Sequence, residues 1–149
     1  MLIRKAKVSD AQQICNILRR SIIELCELDH QKNQKELDEW LANKTIQNCK
    51  AWINNKKINF FVAENDGKLV GVSSINHNGF LELCYILPEA KGLGFGRELL
   101  KVAENSILDL GIQVFTLEST LTAKGFYEHF GYIQTGIKEN SLCYMKFTK

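Results

Sequence analysis

Residues 84–100, CYILPEAKGLGFGRELL, decide the fold of this chain. An apolar run, Leu81–Leu87, ends at Pro88, the only proline. Glycines 92, 94 and 96 follow, and a helical pattern opens at Arg97. A strand, a glycine-rich turn and a helix N-terminus direct free backbone N–H groups toward one point. The stretch therefore predicts an anion site, above all one for phosphate.

The spacing of the glycines excludes two common phosphate motifs. A G-x-G-x-x-G fingerprint begun at Gly92 would need a glycine where Arg97 stands, and a P-loop would need Lys and a hydroxyl residue after Gly96. The spacing that fits is [QR]-x-x-G-x-[GA], read from Lys91 through Gly94 to Gly96. On the glycines alone, a tight strand-to-helix connection without a ligand stays open.

Composition sets broad limits on the class of protein. The chain has 149 residues, of which 45% are hydrophobic and 24% charged, and a net charge of +2. These values predict one globular domain, residues 1–149, and do not suggest nucleic acid as a partner. Five cysteines without a C-x-x-C motif predict free thiols in a reducing, cytoplasmic compartment. The three histidines share no metal-ligand spacing, so no metal is expected, and neither is a signal peptide or a membrane span.

Periodicity predicts the element order β-α-α-β-β-β-α-β-α-β-β. The predicted strands are residues 1–5, 59–64, 69–76, 80–87, 114–118, 132–137 and 142–148. The predicted helices run from Ser9 to Leu28, with a bend or an end near residues 26–30, from Thr45 to Ile53, from Gly94 or Gly96 to Leu110, and from Thr120 to Phe130. A shorter turn or helix is predicted at residues 37–41. The strand–helix–strand unit around residues 80–118 should place its two strands parallel.

A second motif, residues 120–132, TLTAKGFYEHFGY, follows the first by about 30 residues. It is similar to N-x-x-A-x-x-[FL]-Y-x-x-x-G-[FY], with Thr120 in place of the usual Asn and Lys91 in place of the usual Gln or Arg of the first motif. Together the motifs resemble those of the GNAT N-acetyltransferase family, and more finely a bacterial subgroup of small acetyltransferases. The resemblance covers nearly the whole chain. It implies an α/β (α+β) fold with a mixed sheet of six to seven strands, helices on both faces, and a parallel pair splayed at the motif strand.

The resemblance also implies acetyl-CoA as co-substrate and no covalent enzyme intermediate. The pyrophosphate would lie on the backbone from Lys91 to Arg97, which comprises Lys91, Gly92, Leu93, Gly94, Phe95, Gly96 and Arg97. Pantetheine would run along Cys84, Tyr85 and Ile86, with Thr120 and Ala123 contributing from the second motif. Cys84 is expected to be part of the core rather than a nucleophile, because no histidine partner is evident.

Two residues are the candidates for proton transfer. Tyr127 matches the tyrosine that acts as general acid in many members of the family, whereas without the motif it would be a half-buried helical tyrosine. Glu82 is the candidate base, because two-residue alternation puts it on the face of Cys84 and Ile86 in an otherwise apolar strand. The alternative for Glu82 is a rim carboxylate paired with a lysine. His129 is expected on the surface.

The acceptor would be a small amine or a peptide, in a pocket walled by the first two helices and the turn at residues 75–80. Two alternatives remain open at this stage: a non-catalytic acetyl-CoA-binding module, and a protein-interaction module on the same fold. Many members of the family dimerise through their C-terminal strands, so a homodimer is an open expectation.

Overall fold

The computed structural model describes residues 1–148 and has one seven-stranded mixed sheet in the order β1-β2-β3-β4-β5-β7-β6. The strands are β1 (Leu2–Lys5), β2 (Ile58–Asn65), β3 (Lys68–Asn76), β4 (Phe80–Ile86), β5 (Val114–Ser119), β6 (Ile133–Lys138) and β7 (Ser141–Phe147). The helices are α1 (Ala11–Leu25), α2 (Glu27–His30), α3 (Gln34–Leu41), α4 (Ile46–Asn54), α5 (Phe95–Asn105) and α6 (Lys124–His129). The predicted fold class is confirmed.

The only parallel pair in the described sheet is β4–β5, and it is short. Phe80 pairs with Thr116 and Leu81 with Leu117, and no later residue of β4 pairs with β5. On its other side β4 pairs with β3 as far as Ile86. The edge of β4 that faces β5 is therefore free of a strand partner from Glu82 onward. This confirms the predicted splay of the parallel pair at the motif strand.

Helix α5 packs against β3 at very close range. A Cβ atom at Gly71 would lie 2.7 Å from Cδ1 of Leu99, which is fully buried. The Ser73 hydroxyl, also fully buried, donates to the carbonyl oxygen of Leu99 at 3.0 Å. Because Gly71 has no side chain, α5 can pack close to the sheet. This packing places the N-terminus of α5 near the end of β4.

The segment between β1 and β2 holds four α-helices, whereas the predicted order had two, with a shorter turn or helix at residues 37–41. The first helix ends at Leu25, close to the bend or end expected near residues 26–30, and the short helix α2 follows it. At this junction, Nε2 of the buried His30 lies 3.1 Å from the Ile22 carbonyl oxygen and 3.2 Å from that of Ile23. The Lys32 N–H donates to the other ring nitrogen at 3.0 Å. His30 therefore serves as a cap for α1, because its ring binds the carbonyl oxygen of Ile23 and that of Ile22, which also accepts from Cys26 N at 3.3 Å.

Two predicted helix boundaries were also wrong. Helix α6 begins at Lys124, not at Thr120, because side chains bind the amides of the preceding turn: Thr120 Oγ1 accepts from Ala123 N at 3.0 Å, and Asp29 Oδ1 accepts from Leu121 N at 2.6 Å. Helix α5 ends at Asn105, not at Leu110, and the Ser106 hydroxyl donates to the Ala103 carbonyl at 2.7 Å. Side-chain to backbone bonds of this kind compete with helix formation.

Candidate functional site

A cavity of about 540 Å³ opens where β4 and β5 separate. Its walls come from β4, from the glycine turn with the first turn of α5, and from the segment 118–130. It brings together these residues singled out in the sequence: Glu82, Cys84, Tyr85, Ile86, Lys91, Gly92, Gly94, Phe95, Gly96, Arg97, Thr120, Ala123 and Tyr127. Leu93 does not line it, and its side chain is 59% exposed.

The glycine turn presents unused backbone donors to this cavity. Gly92 and Gly94 have φ angles of +80° and +88°, which favour glycine, and no other atom lies within 4 Å of a Cβ placed on either. Among residues 1–148, no protein oxygen accepts from the N–H groups of residues 94–97, and Glu98 N is the first in α5 to bond backward, to Gly94 O at 3.3 Å. Lys91 and Arg97 are exposed beside them. Free N–H groups, a helix N-terminus and two cations fit a bound pyrophosphate.

Gly96 has a different physical role from the other two glycines. A Cβ atom there would lie 3.2 Å from Cε1 of Phe126, so the ring packs directly on the first turn of α5. The Phe126 ring in turn meets that of Tyr127 edge-on, with centroids 5.2 Å apart. This contact joins the two sequence motifs and sets the position of Tyr127 relative to the glycine turn.

Tyr127 is a buried phenol whose exposed fraction is 6%, and it lines the cavity. Burial raises the pKa of Tyr127 well above its ordinary value of 10, and the nearby Cys84 thiol adds to the effect. Burial also raises the pKa of Cys84 to about 12. At neutral pH the phenol therefore keeps its proton, while Cys84 stays a thiol and is a poor nucleophile.

Glu82 is the first residue of β4 beyond the β5 pairing, and it belongs to the lining of two cavities. It lines both the 540 Å³ cavity and a second one of about 230 Å³. Its side chain is accessible, but partial burial within these cavities raises the pKa of the Glu82 carboxyl above its ordinary value. In the described part of the chain, no Lys or Arg nitrogen lies within 4.0 Å of it. The structure thus shows no lysine partner for Glu82.

The free edge of β4 presents backbone N–H groups to the cavity. Leu87 N donates to Val70 O, on the β3 side, at 2.8 Å. Because successive N–H groups of a strand point to opposite edges, those of Ile86 and Cys84 point to the edge that β5 leaves open. The predicted pairing edge for an extended ligand arm is therefore available at these two residues.

The structure also adds residues that the sequence analysis did not select. Glu118, on β5, is a second carboxylate in the cavity lining, and Cys26 lines it from the end of α1. Asp29 holds the wall formed by residues 121–122: besides Leu121 N, it accepts from the Thr122 hydroxyl at 2.7 Å. His129 is exposed, as expected, and lies at the cavity rim. No local pattern marks Asp29, because its partners lie more than 90 residues away.

Thr120 already makes hydrogen bonds within the protein. Its Oγ1 accepts from Ala123 N, and its carbonyl oxygen accepts from the Ser119 hydroxyl at 2.7 Å. Its own hydroxyl proton is left for a ligand. Contact between Thr120 and pantetheine stays a prediction. In such a contact the Thr120 hydroxyl would donate a hydrogen bond rather than accept one.

Within residues 1–148, no three His, Cys, Asp or Glu side chains are grouped closely enough to hold a metal ion. Over the same residues, no helix is both long and apolar enough to cross a bilayer.

Comparisons with known proteins agree with this geometry. Residues 27–145 match the family described as acetyltransferase (GNAT) domain. The fold is similar to that of PaiA N-acetyltransferase from Thermoplasma acidophilum in complex with coenzyme A, with 19% identity, a TM-score of 0.87, and coverage of 99% of this chain and 98% of that one. A GCN5-related N-acetyltransferase from Rhodopseudomonas palustris gives 20% identity, a TM-score of 0.86, and coverage of 99% and 95%.

An aminoglycoside 6'-acetyltransferase type Ii is also similar, at 16% identity and a TM-score of 0.76, over 99% of this chain and 97% of that one. A comparison with curated protein sequences found no significant match. At these identities the solved structures show the shared fold, and the family match extends over most of the chain.

Proposed function

The chain belongs to the GNAT acetyltransferase family, and on this basis we propose that it moves an acetyl group from acetyl-CoA to the amine of a small molecule or a peptide. One observation carries the proposal: a single 540 Å³ cavity joins the glycine turn, the free edge of β4, Glu82 and Tyr127. A donor site, a strand edge, a base and an acid are the parts that direct transfer to an amine requires.

The donor is held, in this proposal, by the turn at residues 91–97. The free N–H groups of residues 94–97 bind the pyrophosphate, and Lys91 and Arg97 add charge at the rim. Each favourable interaction with the helix N-terminus contributes about 0.3–1 kcal/mol, so several donors acting together are needed for tight binding.

The free edge of β4 positions the reacting end of the donor. Acetyl-CoA supplies a thioester, whose carbonyl oxygen needs a hydrogen-bond donor as it gains negative charge. The Ile86 N–H points to the open edge and is our candidate for that donor. A single well-placed donor of this type is worth about 3 kcal/mol in rate.

Glu82 and Tyr127 carry the proton transfers in this proposal. An ammonium has no lone pair, so the acceptor must lose a proton before it attacks, and Glu82 or a water bound to it accepts that proton. The raised pKa of Glu82 brings it nearer to the range where a carboxylate is an effective base at neutral pH. Tyr127 keeps its phenolic proton at neutral pH and gives it to the departing thiolate.

The proposal is tested by measuring both donor binding and transfer. Isothermal titration with acetyl-CoA should give saturable binding, and a panel of amines should give acetylated product by mass spectrometry together with CoA release. A thiol reagent needs a protein-only blank, because the chain has five cysteines. Binding without product from any amine would indicate a non-catalytic acetyl-CoA module, and the absence of binding would refute the donor site itself.

A further inference from the structure

The second cavity, of about 230 Å³, lies beyond Glu82 and differs in character from the first. It is lined by Asn43 and Lys44 before α4, by Trp52 on α4, and by Ser74 on β3. Glu82 and its neighbour Leu83 line both cavities, so the two cavities adjoin at this part of β4. A space of this size suits a small metabolite rather than a drug-sized ligand, for which pockets of about 300–1,000 Å³ are usual.

Lys44 is the unusual feature of this cavity, because it is a buried cation with no counter-ion among residues 1–148. Its exposed fraction is 8%. Its Nζ donates to Asn43 Oδ1 at 2.7 Å, a neutral partner. Over residues 1–148, no carboxylate oxygen lies within 4.0 Å of Nζ.

A lysine ammonium has three N–H donors, and a buried charge that is not paired is costly. Burial accordingly lowers the pKa of Lys44. An anion bound in the cavity would supply the missing charge and accept the remaining donors. The cavity thus has a cation at one part of its lining and a carboxylate, Glu82, at another.

On the basis of the proposed function, we propose that this cavity binds the acceptor, and that the acceptor is a small amine that also carries an anionic group. The amine lies at Glu82, beside the donor cavity, and the anionic group lies at Lys44. A carboxylate and a phosphate share the required chemistry, and the test separates them. The Ser74 hydroxyl, which lies on the same cavity wall, is a further polar group for such a ligand.

The first experiment compares acceptors that differ only in the anionic group. Suitable pairs are lysine with cadaverine, ornithine with putrescine, γ-aminobutyrate with propylamine, and phosphoethanolamine with ethanolamine. Transfer is measured as kcat/KM, and binding to the CoA-saturated protein is measured by calorimetry. In at least one pair the anionic member should be preferred roughly 10- to 100-fold, the value of a hydrogen bond to a charged group. Whether a carboxylate or a phosphate pair shows the preference identifies the anion.

The second experiment uses Lys44→Met, with Lys50→Met as the control, because Lys50 is exposed on α4. Lys44→Met should bring the preference for the anionic member of the pair to about one. It should also raise the melting temperature of the free protein, because it removes an unpaired buried charge. Lys50→Met should alter neither quantity.

The outcomes separate this inference from the proposed function. Transfer to amines with no preference for the anionic members, or a preference that survives Lys44→Met, would overturn the inference and leave acetyl transfer intact. If no amine is acetylated, the proposed function fails. Calorimetry then still decides the inference, by whether the anionic members bind more tightly to the wild type than to Lys44→Met.

Discussion

The donor site can be tested most sharply at Gly94, the residue before the first turn of α5. A Gly94→Glu substitution places a carboxylate where we expect the pyrophosphate. Apart from the two chain neighbours, no protein atom lies within 4 Å of a Cβ atom placed here, so the start of the new side chain has open space in the free protein. The substitution should therefore affect ligand binding much more than packing.

Two effects contribute to the expected magnitude. A non-glycine residue at φ +88° costs about 1–2 kcal/mol of folding stability. A carboxylate about 5 Å from one phosphate charge, at an effective dielectric constant of about 20, costs about 3 kcal/mol of binding. That repulsion corresponds to roughly 150-fold in the dissociation constant for acetyl-CoA.

Gly111→Glu is the matched control for the backbone strain. Gly111 has a φ of +76°, also has no atom within 4 Å of its Cβ position, and lies beyond the other end of α5. Both variants should lose a similar amount of stability in thermal melts, while calorimetry should show weakened acetyl-CoA binding for Gly94→Glu alone. Near wild-type affinity in Gly94→Glu, or equal weakening in both variants, would refute the placement of the pyrophosphate.

The remaining predictions concern the two proton-transfer residues. Tyr127→Phe should lower kcat at least roughly 100-fold with little change in acetyl-CoA affinity. As its control, Tyr144→Phe removes a 2.6 Å hydrogen bond to Glu128 and should cost about 1–2 kcal/mol of stability without affecting kcat. An unchanged kcat at saturating donor in Tyr127→Phe would exclude its role as an acid. Glu82→Gln should lower kcat/KM and abolish the decrease in rate that the wild type shows at acidic pH. If the variant keeps that decrease, a group other than Glu82 causes it. Because burial raises the pKa of Glu82 above its unfolded value, the wild type loses stability as the pH rises through that window. Urea titrations should therefore find Glu82→Gln slightly more stable than the wild type at pH 7 and equal to it well below about pH 4.3.

The donor half of the candidate site could be predicted from local spacing. The apolar run before Pro88, the glycines at 92 and 94, and the helical pattern after Arg97 are encoded within one short stretch. Positive φ angles at Gly92 and Gly94 are a local backbone property that only glycine adopts freely. The predicted start of α6 was wrong because a distant side chain, that of Asp29, accepts a hydrogen bond from the backbone N–H of Leu121.

Residue spacing in the sequence by itself determined the element types, the parallel strand pair and the glycine-rich turn, because the 3.6- and 2-residue periods and the turn glycines are short-range signals. The tertiary structure alone decided how far β4 and β5 separate, that Gly96 packs under Phe126, and that Glu82 stands between two cavities. It alone revealed Lys44 as a buried cation without a counter-ion in the described part of the chain. A cavity or an unpaired buried charge arises from the way segments far apart in the chain pack together. Residue spacing within one segment therefore cannot predict it.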